Sequence, residues 1–364
     1  MLNNKLREIS LINEYIRKIK ENSEKKIRVM EICGGHTIAL HKSGFCEALK
    51  NEIEFLSGPG CPVCVTAMAD IDKILYLAQQ PMSILCIYGD LFRVPGTDTS
   101  LMYEKAKGCD IRIVYSVHDA LELALREPNK IVYFAGIGFE TTAPLTAAAI
   151  MEAFEKKVEN FRVLSFHKTV PEAVRALLID SENRIDAFVL PGNVSSITGV
   201  IPYEFITKEF YKPCVVSGFE PLDLISSIYE LIMMTKTRKN EITNNYKRAV
   251  KYIGNVKAQE ILNNVFEKCS ADWRGIGQIT GSGLRIKNKY ELFNAENFVE
   301  FPANKKIKNN NCICGEILKG RKKPFECGLF KNMCTPDSPY GACMVSNEGA
   351  CGAFYKYGQV NDED

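Results

Sequence analysis

The chain alternates short β-branched apolar runs with longer stretches in which apolar residues recur every three or four positions. Between residues 2 and 22, Leu2, Leu6, Ile9, Ile12, Ile16 and Ile19 fall on one side of a helical projection opposite a charged face, which predicts an amphipathic helix. Strand-like runs follow at KIRVMEI (26–32), IEFL (53–56), SILCIY (83–88), IRIVYSV (111–117), KIVYFAG (130–136), FRVLSF (161–166), DAFVL (186–190) and KPCVVSG (212–218). Each leads into a loop of Gly, Pro and polar residues and then a helix-like stretch. That alternation implies parallel sheets covered by helices on both faces. Eight strands could close one (β/α)8 barrel or form two doubly wound units; the long apolar helix PLTAAAIMEAFEKK (144–157) and two similar four-strand halves favour two domains. From about residue 236 the pattern stops. Residues 236–268 read as helical and solvent-facing, ANKKIKNNN (303–311) as a basic linker, and the remainder as a cysteine-dense tail.

In open parallel sheets, ligands bind off the carboxyl ends of the strands. The segments found there are CGGHT (33–37), SGPGCPVC (57–64), GDLFRVPG (89–96), His118-Asp119, IGFETTAP (137–144), HKTVP (167–171), PGNVSS (191–196) and FEPLD (219–223). Nearly all carry Gly, Pro and a polar or metal-binding side chain, so they read as one or two facing active-site rims. GIGFET (136–141) lacks the G-x-G-x-x-G spacing and no G-x-x-x-x-G-K-[ST] occurs, which argues against a phosphate loop. Glu140 and Glu220 each lie in a GFE triplet after a strand. Such a carboxylate can orient a thiol or move a proton, or simply cap the next helix. His118 and His167 read as hydrogen-bonded loop residues, whereas His36, three residues after Cys33, is a functional candidate.

A net charge of +2 across 364 residues gives no electrostatic case for nucleic acid or an anionic membrane. No run approaches about 18 apolar residues and the first residues lack a signal-peptide pattern, so no membrane span is expected and the cytosol is the expected location. Fourteen cysteines then need explaining, because structural disulfides are uncommon in a reducing compartment. Cys86 and Cys214 sit in apolar strand runs, and Cys46, Cys109 and Cys269 are isolated; all five read as packing residues. The others cluster. Cys33, Cys61 and Cys64 come from two neighbouring strand ends rich in glycine; they could hold one iron, or two could cycle as a disulfide. In the tail, six cysteines (312, 314, 327, 334, 343 and 351) lie within 40 residues. Their spacing fits neither a zinc ribbon nor a bacterial ferredoxin, and an iron–sulfur cluster held by four of the six is the best reading of that region, with zinc as the alternative.

The ordered set CGGHT, GPGCPVC, GFETTAP, PGNVSSITG, GFEPLD and CTP…P-x-GACMVS-x-EGAC resembles the HypD family of hydrogenase maturation proteins from about residue 28 to 355. The resemblance implies an α/β protein of two similar doubly wound parallel-sheet domains plus a smaller cysteine-rich iron–sulfur domain. It implies a redox-active scaffold on which an iron ion of [NiFe] hydrogenase becomes Fe(CN)2CO, working with a small HypC-type chaperone and a HypE-type cyanide donor. The [NiFe] hydrogenase large subunit would be served indirectly. Carried over, Cys33, Cys61 and Cys64 would be the iron-site thiols, with His36 tuning them, and Cys327, Cys334, Cys343 and Cys351 would ligate a [4Fe–4S] cluster, Cys314 being the reserve ligand. Many family members carry His where this chain has Asn193, so a ligand or proton-transfer role at that position is not expected here. The expected division is an N-terminal helix (1–25) packing on the third domain, α/β domains at 26–128 and 129–236, and a helical and cluster domain at 237–364. The competing readings are a plain iron–sulfur thiol–disulfide oxidoreductase and a zinc-stabilised interaction module.

Overall fold

In the computed structural model, which describes residues 2–303 and 311–358, all eight expected strand runs form strands. They are β1 (Ile27–Glu31), β2 (Ile53–Ser57), β3 (Ser83–Ile87), β4 (Ile111–Ile113), β5 (Ile131–Gly136), β6 (Phe161–Ser165), β7 (Ala187–Pro191) and β8 (Cys214–Ser217). Three more follow: β9 (Ile242–Asn244), β10 (Phe266–Trp273) and β11 (Gly277–Ile286). Two parallel sheets result, one of five strands in the order β2-β1-β7-β8-β9 and one of four in the order β4-β3-β5-β6; β10 and β11 form an antiparallel hairpin. The barrel alternative is thereby excluded. The strands β3, β7 and β8 are buried along their whole length, as central strands covered on both faces must be.

The contiguous halves 26–128 and 129–236 do not match the sheets. The chain leaves the first sheet after β2, builds the second sheet whole from β3 to β6, and returns for β7 to β9. Local pattern marks a segment as a buried strand but not which neighbour it joins; β1 accepts β2 on one edge and β7 on the other, pairing Val29 with both Phe55 and Ala187. Residues 237–364 are likewise not one unit. β9 completes the first sheet, the helix Val256–Val265 lies on Ala143–Glu155, and the hairpin packs on Val170–Ile179. The linker expected at 303–311 falls largely outside the described residues.

The N-terminal helix Leu2–Asn22 forms as its periodicity predicts but packs on the helix Pro221–Lys236 of the first sheet, not on the cysteine tail. Tyr15 meets Tyr229 with ring centroids 5.6 Å apart, Lys236 Nζ donates to Asn22 Oδ1 at 2.9 Å, and Ile19 is fully buried. Burial of a side chain the size of Ile19 contributes about 1.5–3 kcal/mol. Ile9, also on the expected apolar stripe, is exposed; the side chains of Leu2 and Leu6 lie outside the described residues. No helix among the described residues is long and apolar enough to cross a membrane.

Winding reverses once in each sheet, between β1 and β7 and between β3 and β5. A crevice opens outside the carboxyl ends of the strands at such a reversal. β1 ends two residues before Cys33, which places Cys33 at the first reversal.

Candidate functional site

Cys33 is the extended residue (φ −157°, ψ 123°) that precedes the helix Gly34–Lys42. Ile32 N–H donates to Val189 O at 3.2 Å, which continues the pairing of β1 with β7 and brings Cys33 beside the loop that follows β7. Its thiol donates to Asn193 Oδ1 across the reversal at 3.7 Å. Beneath it lies Glu31, whose Oε2 accepts from Cys33 N–H at 3.0 Å and whose Oε1 accepts from the Thr37 hydroxyl. Burial pushes the Glu31 carboxyl up to about 8, so it is protonated and uncharged at neutral pH. Burial, reinforced by the nearby Glu348 carboxylate, pushes the Cys33 thiol up to about 12. In this state Cys33 is a neutral, inert thiol.

Two glycines let the three loops meet. A Cβ on Gly60 would lie 2.3 Å from Cys33 N, and one on Gly34 would lie 2.2 Å from Glu348 O. The GPGC loop therefore rests directly on the Cys33 backbone, and Gly34 N–H donates to Gly60 O at 3.2 Å. Cys61 and Cys64 form a disulfide at the start of the short helix Pro62–Val65, and Cys61 Sγ accepts from Cys64 N–H at 3.2 Å. Pro62 at the first helical position needs no hydrogen-bond acceptor there. Both sulfurs are buried, and Cys64 Sγ lies 4.0 Å from Ala342 O, one residue before Cys343.

The tail packs against that disulfide. Its helix Ala342–Val345 sits on Pro62–Val65. Six cysteines, 312, 314, 327, 334, 343 and 351, line one pocket walled by Ile317, Leu329, Phe330 and Met344. Burial together with the neighbouring thiols raises Cys351 well above its ordinary value, and a hydrogen bond with Cys314, followed by burial, raises Cys312. Among the described residues no three His, Cys, Asp or Glu side chains stand as a preformed metal site. The donor set nonetheless fits a thiolate-held iron centre: six soft ligands share an apolar pocket in which thiolates are costly unless a metal neutralises them.

A model of the HypD family, described as the hydrogenase formation hypA family, matches residues 10–358. The chain belongs to the HypD family. It is 42% identical to the hydrogenase maturation factor HypD of Escherichia coli K12 over 98% of this chain and 95% of that protein. It is 45% identical to HypD of Rhodobacter capsulatus over 93% and 92%, and 45% identical to HypD of Cupriavidus necator over 92% and 90%. The sequence motifs quoted above all fall within the matched span.

The fold of this HypD-family chain brings together some of the candidate residues and separates others. Cys33, Cys61, Cys64 and the tail thiols form one continuous region. His36 is buried beside it, stacked on Phe219 with centroids 4.6 Å apart, and its Nε2 donates to Gly218 O at 3.0 Å. Burial holds the ring down to about 4, so it is neutral, and its buried Nδ1 has no hydrogen-bond partner among the described residues. Glu140 lies elsewhere, at the start of the helix Val170–Ile179, where Oε1 accepts from Val170 N–H at 3.0 Å. Glu220 precedes the helix Pro221–Lys236 with its side chain 73% exposed and paired to Arg248 at 3.1 Å. His118 pairs with Glu152 at the surface, Asp119 completes a capping box with Ser116, and His167 is buried between Ser165 and Thr146.

Glu31 and Glu348 were not among the candidates, although Glu31 accepts from Cys33 N–H and Glu348 packs against Gly34 beside it. For Glu31 a signal was present: one acidic residue inside the apolar run VMEI. For Glu348 there was none, because its approach to Cys33 depends on how the tail folds back over the first sheet.

Proposed function

We propose that this chain is a redox-active scaffold on which the iron of [NiFe] hydrogenase acquires two cyanides and one carbon monoxide. Its partners would be a small HypC-type chaperone and a HypE-type cyanide donor. The observation that carries this reading is the meeting of three segments: the GPGC loop rests on the Cys33 backbone, and its buried Cys61–Cys64 disulfide packs against the tail backbone next to Cys343, one of the six cysteines that line the tail pocket.

With Cys61 and Cys64 joined, Cys33 is the one thiol of the three. Two electrons and two protons break the S–S bond and yield two further thiols, so reduction converts the crevice from one soft ligand to three. A low-potential one-electron donor supplies the electrons. A [4Fe–4S] cluster would be held by Cys327, Cys334, Cys343 and Cys351 and would supply one-electron transfer beside the disulfide. The cargo iron would then bind Cys33, Cys61 and Cys64 as thiolates, each thiol releasing its proton to solvent as its iron–sulfur bond forms. Glu31 fixes the Cys33 backbone from below, neutral His36 adds no charge, and burial of all three sulfurs keeps water from an iron–cyanide fragment. Asn193, facing Cys33, accepts its S–H bond and cannot titrate.

The test is the infrared spectrum of the protein purified without oxygen together with its small chaperone. Cyanide and carbon monoxide stretches on iron are expected, and are expected to vanish in Cys61→Ala. A blank wild-type spectrum from a protein that still holds an iron–sulfur cluster would replace the scaffold with a thiol–disulfide oxidoreductase. Persistence of the bands in Cys61→Ala would remove the three-thiol cradle.

A further inference from the structure

The hairpin β10–β11 has no counterpart among the sequence motifs, yet its tip is wedged between the disulfide helix and the tail thiols. On one side, Thr66 pairs with Trp273 in an antiparallel bridge, Arg274 N–H donates to Val65 O at 2.8 Å, and Arg274 Nε donates to Thr66 O at 2.7 Å. These are the two residues that follow Cys64. On the other side, Gly275 adopts the left-handed φ of +73°, and a Cβ there would lie 2.3 Å from Gly315 Cα. The tip therefore touches the backbone next to Cys314.

Arg274 fills that wedge with a positive charge. Among the described residues its buried Nη2 has no hydrogen-bond acceptor and it joins no ion pair. A buried charged donor without a partner costs more than a neutral one, so packing alone is a poor reason to keep it. A Cβ on Gly275 would also lie 2.9 Å from Gly315 N, so Arg274, the residue before it, stands beside the turn that carries Cys314 into the tail pocket.

We propose that Arg274 is a positioning residue for electron transfer between the tail centre and the Cys61–Cys64 pair, and that its guanidinium stabilises the tail centre in its reduced, more negative state. The inference rests on the iron–sulfur reading above. Its logic is electrostatic: a one-electron donor adds a negative charge to the centre, and a fixed cation in a water-poor pocket lowers the energy of that product more than of the reactant. The same side chain, anchored on Thr66 O, keeps the disulfide helix against the pocket that receives the electron.

The experiment is a mediated redox titration of the full-length protein, purified without oxygen, with the reduced fraction read by electron paramagnetic resonance. Iron and acid-labile sulfide are measured first. At a fixed potential, Arg274→Met is expected to lower the reduced-to-oxidised ratio about tenfold, a shift of about 59 mV for one electron. Arg274→Lys, which keeps the charge, is expected to stay near wild type. Arg274→Gln serves as a second neutral variant should Met disturb folding, as judged by circular dichroism. Retention of the cluster in Lys but not in either neutral variant also supports stabilisation by charge. Neutral variants that hold full iron and sulfide and titrate as wild type overturn the proposal. So does loss of the cluster in Lys and neutral variants alike, which makes Arg274 a packing residue. Wild-type protein without acid-labile sulfide overturns the iron–sulfur reading itself, and the initial metal analysis distinguishes that failure from the others.

Discussion

Replacing Gly60 with alanine adds one methyl group at the point where the GPGC loop rests on Cys33. The new Cβ would meet Cys33 N at 2.3 Å and both Cys33 Cα and Ile32 C at 2.5 Å. All three are backbone atoms of a chain locked into the first sheet by β1, so no side chain can swing aside. Ordinary contact begins near 3.4 Å, so the loop must retreat by about 1 Å, a distance in the range that disables preorganised sites. The retreat breaks the hydrogen bond from Gly34 N–H to Gly60 O, worth roughly 0.5–1.5 kcal/mol. Overpacking a rigid site costs about 1–3 kcal/mol more. The expected loss is about 2–4 kcal/mol, read from the urea midpoint followed by circular dichroism, together with loss of iron-bound cyanide bands because Cys61 and Cys64 move away from Cys33. Gly328→Ala is the matched control, since its added Cβ meets no heavy atom within 4 Å. A Gly60→Ala protein with the midpoint and infrared bands of wild type would refute the close packing on which the candidate site depends.

Two further outcomes follow from burial. Glu140→Ala removes a buried acceptor from Val170 N–H and should destabilise the fold by roughly 1–3 kcal/mol, whereas Glu220→Ala, at an exposed ion pair, should change stability by less than about 1 kcal/mol; equal urea midpoints for the two variants would contradict this. Stability should fall as pH rises from about 6.5 to 8. Burial holds His36 and His41 down to about 4 and His167 down to about 3, so acidification below 6.5 protonates these rings in the unfolded chain first and weakens folding. Glu31 and Glu140, pushed up to about 8, act oppositely: folding is favoured at low pH and the advantage is lost as pH rises from the ordinary 4.5 through 8. Between 6.5 and 8 the three rings are neutral in both states, so Glu31 and Glu140 make stability fall as pH rises. Urea midpoints that climb steadily from pH 6.5 to 8 would contradict the buried, protonated state of both.

The order of hydrophobic and polar positions determined the elements. Eight β-branched runs became eight strands and the N-terminal stripe became a helix, because burial on two faces of a sheet or one face of a helix leaves a local, periodic mark. The chemistry was legible for a related reason. Thiols beside glycines at strand ends are visible in the string itself, and six ordered motifs were enough to indicate the HypD family. β9 and the hairpin were not legible: β9 is a three-residue partly buried edge strand, and β10 follows the helix Val256–Val265 without a break, so the helical pattern runs into it.

What tertiary structure alone decided was partnership. A parallel strand takes its neighbours through backbone bonds that carry no side-chain code, so β1 could join β7 from 160 residues away, and the contiguous division of the chain gave way to an inserted sheet. The same long-range closure separated equivalent motifs. Two GFE triplets read alike in sequence, yet Glu140 became a buried helix cap and Glu220 a solvent-facing ion pair. It also assembled groups that no local pattern links: Glu348 against Gly34, Ala342 against Cys64, and Arg274 between the disulfide and the tail thiols. Residue type and spacing set which atoms were available for chemistry. Which of them share one desolvated space, and therefore feel one another's charge, was fixed by the closing of the sheets and the return of the tail.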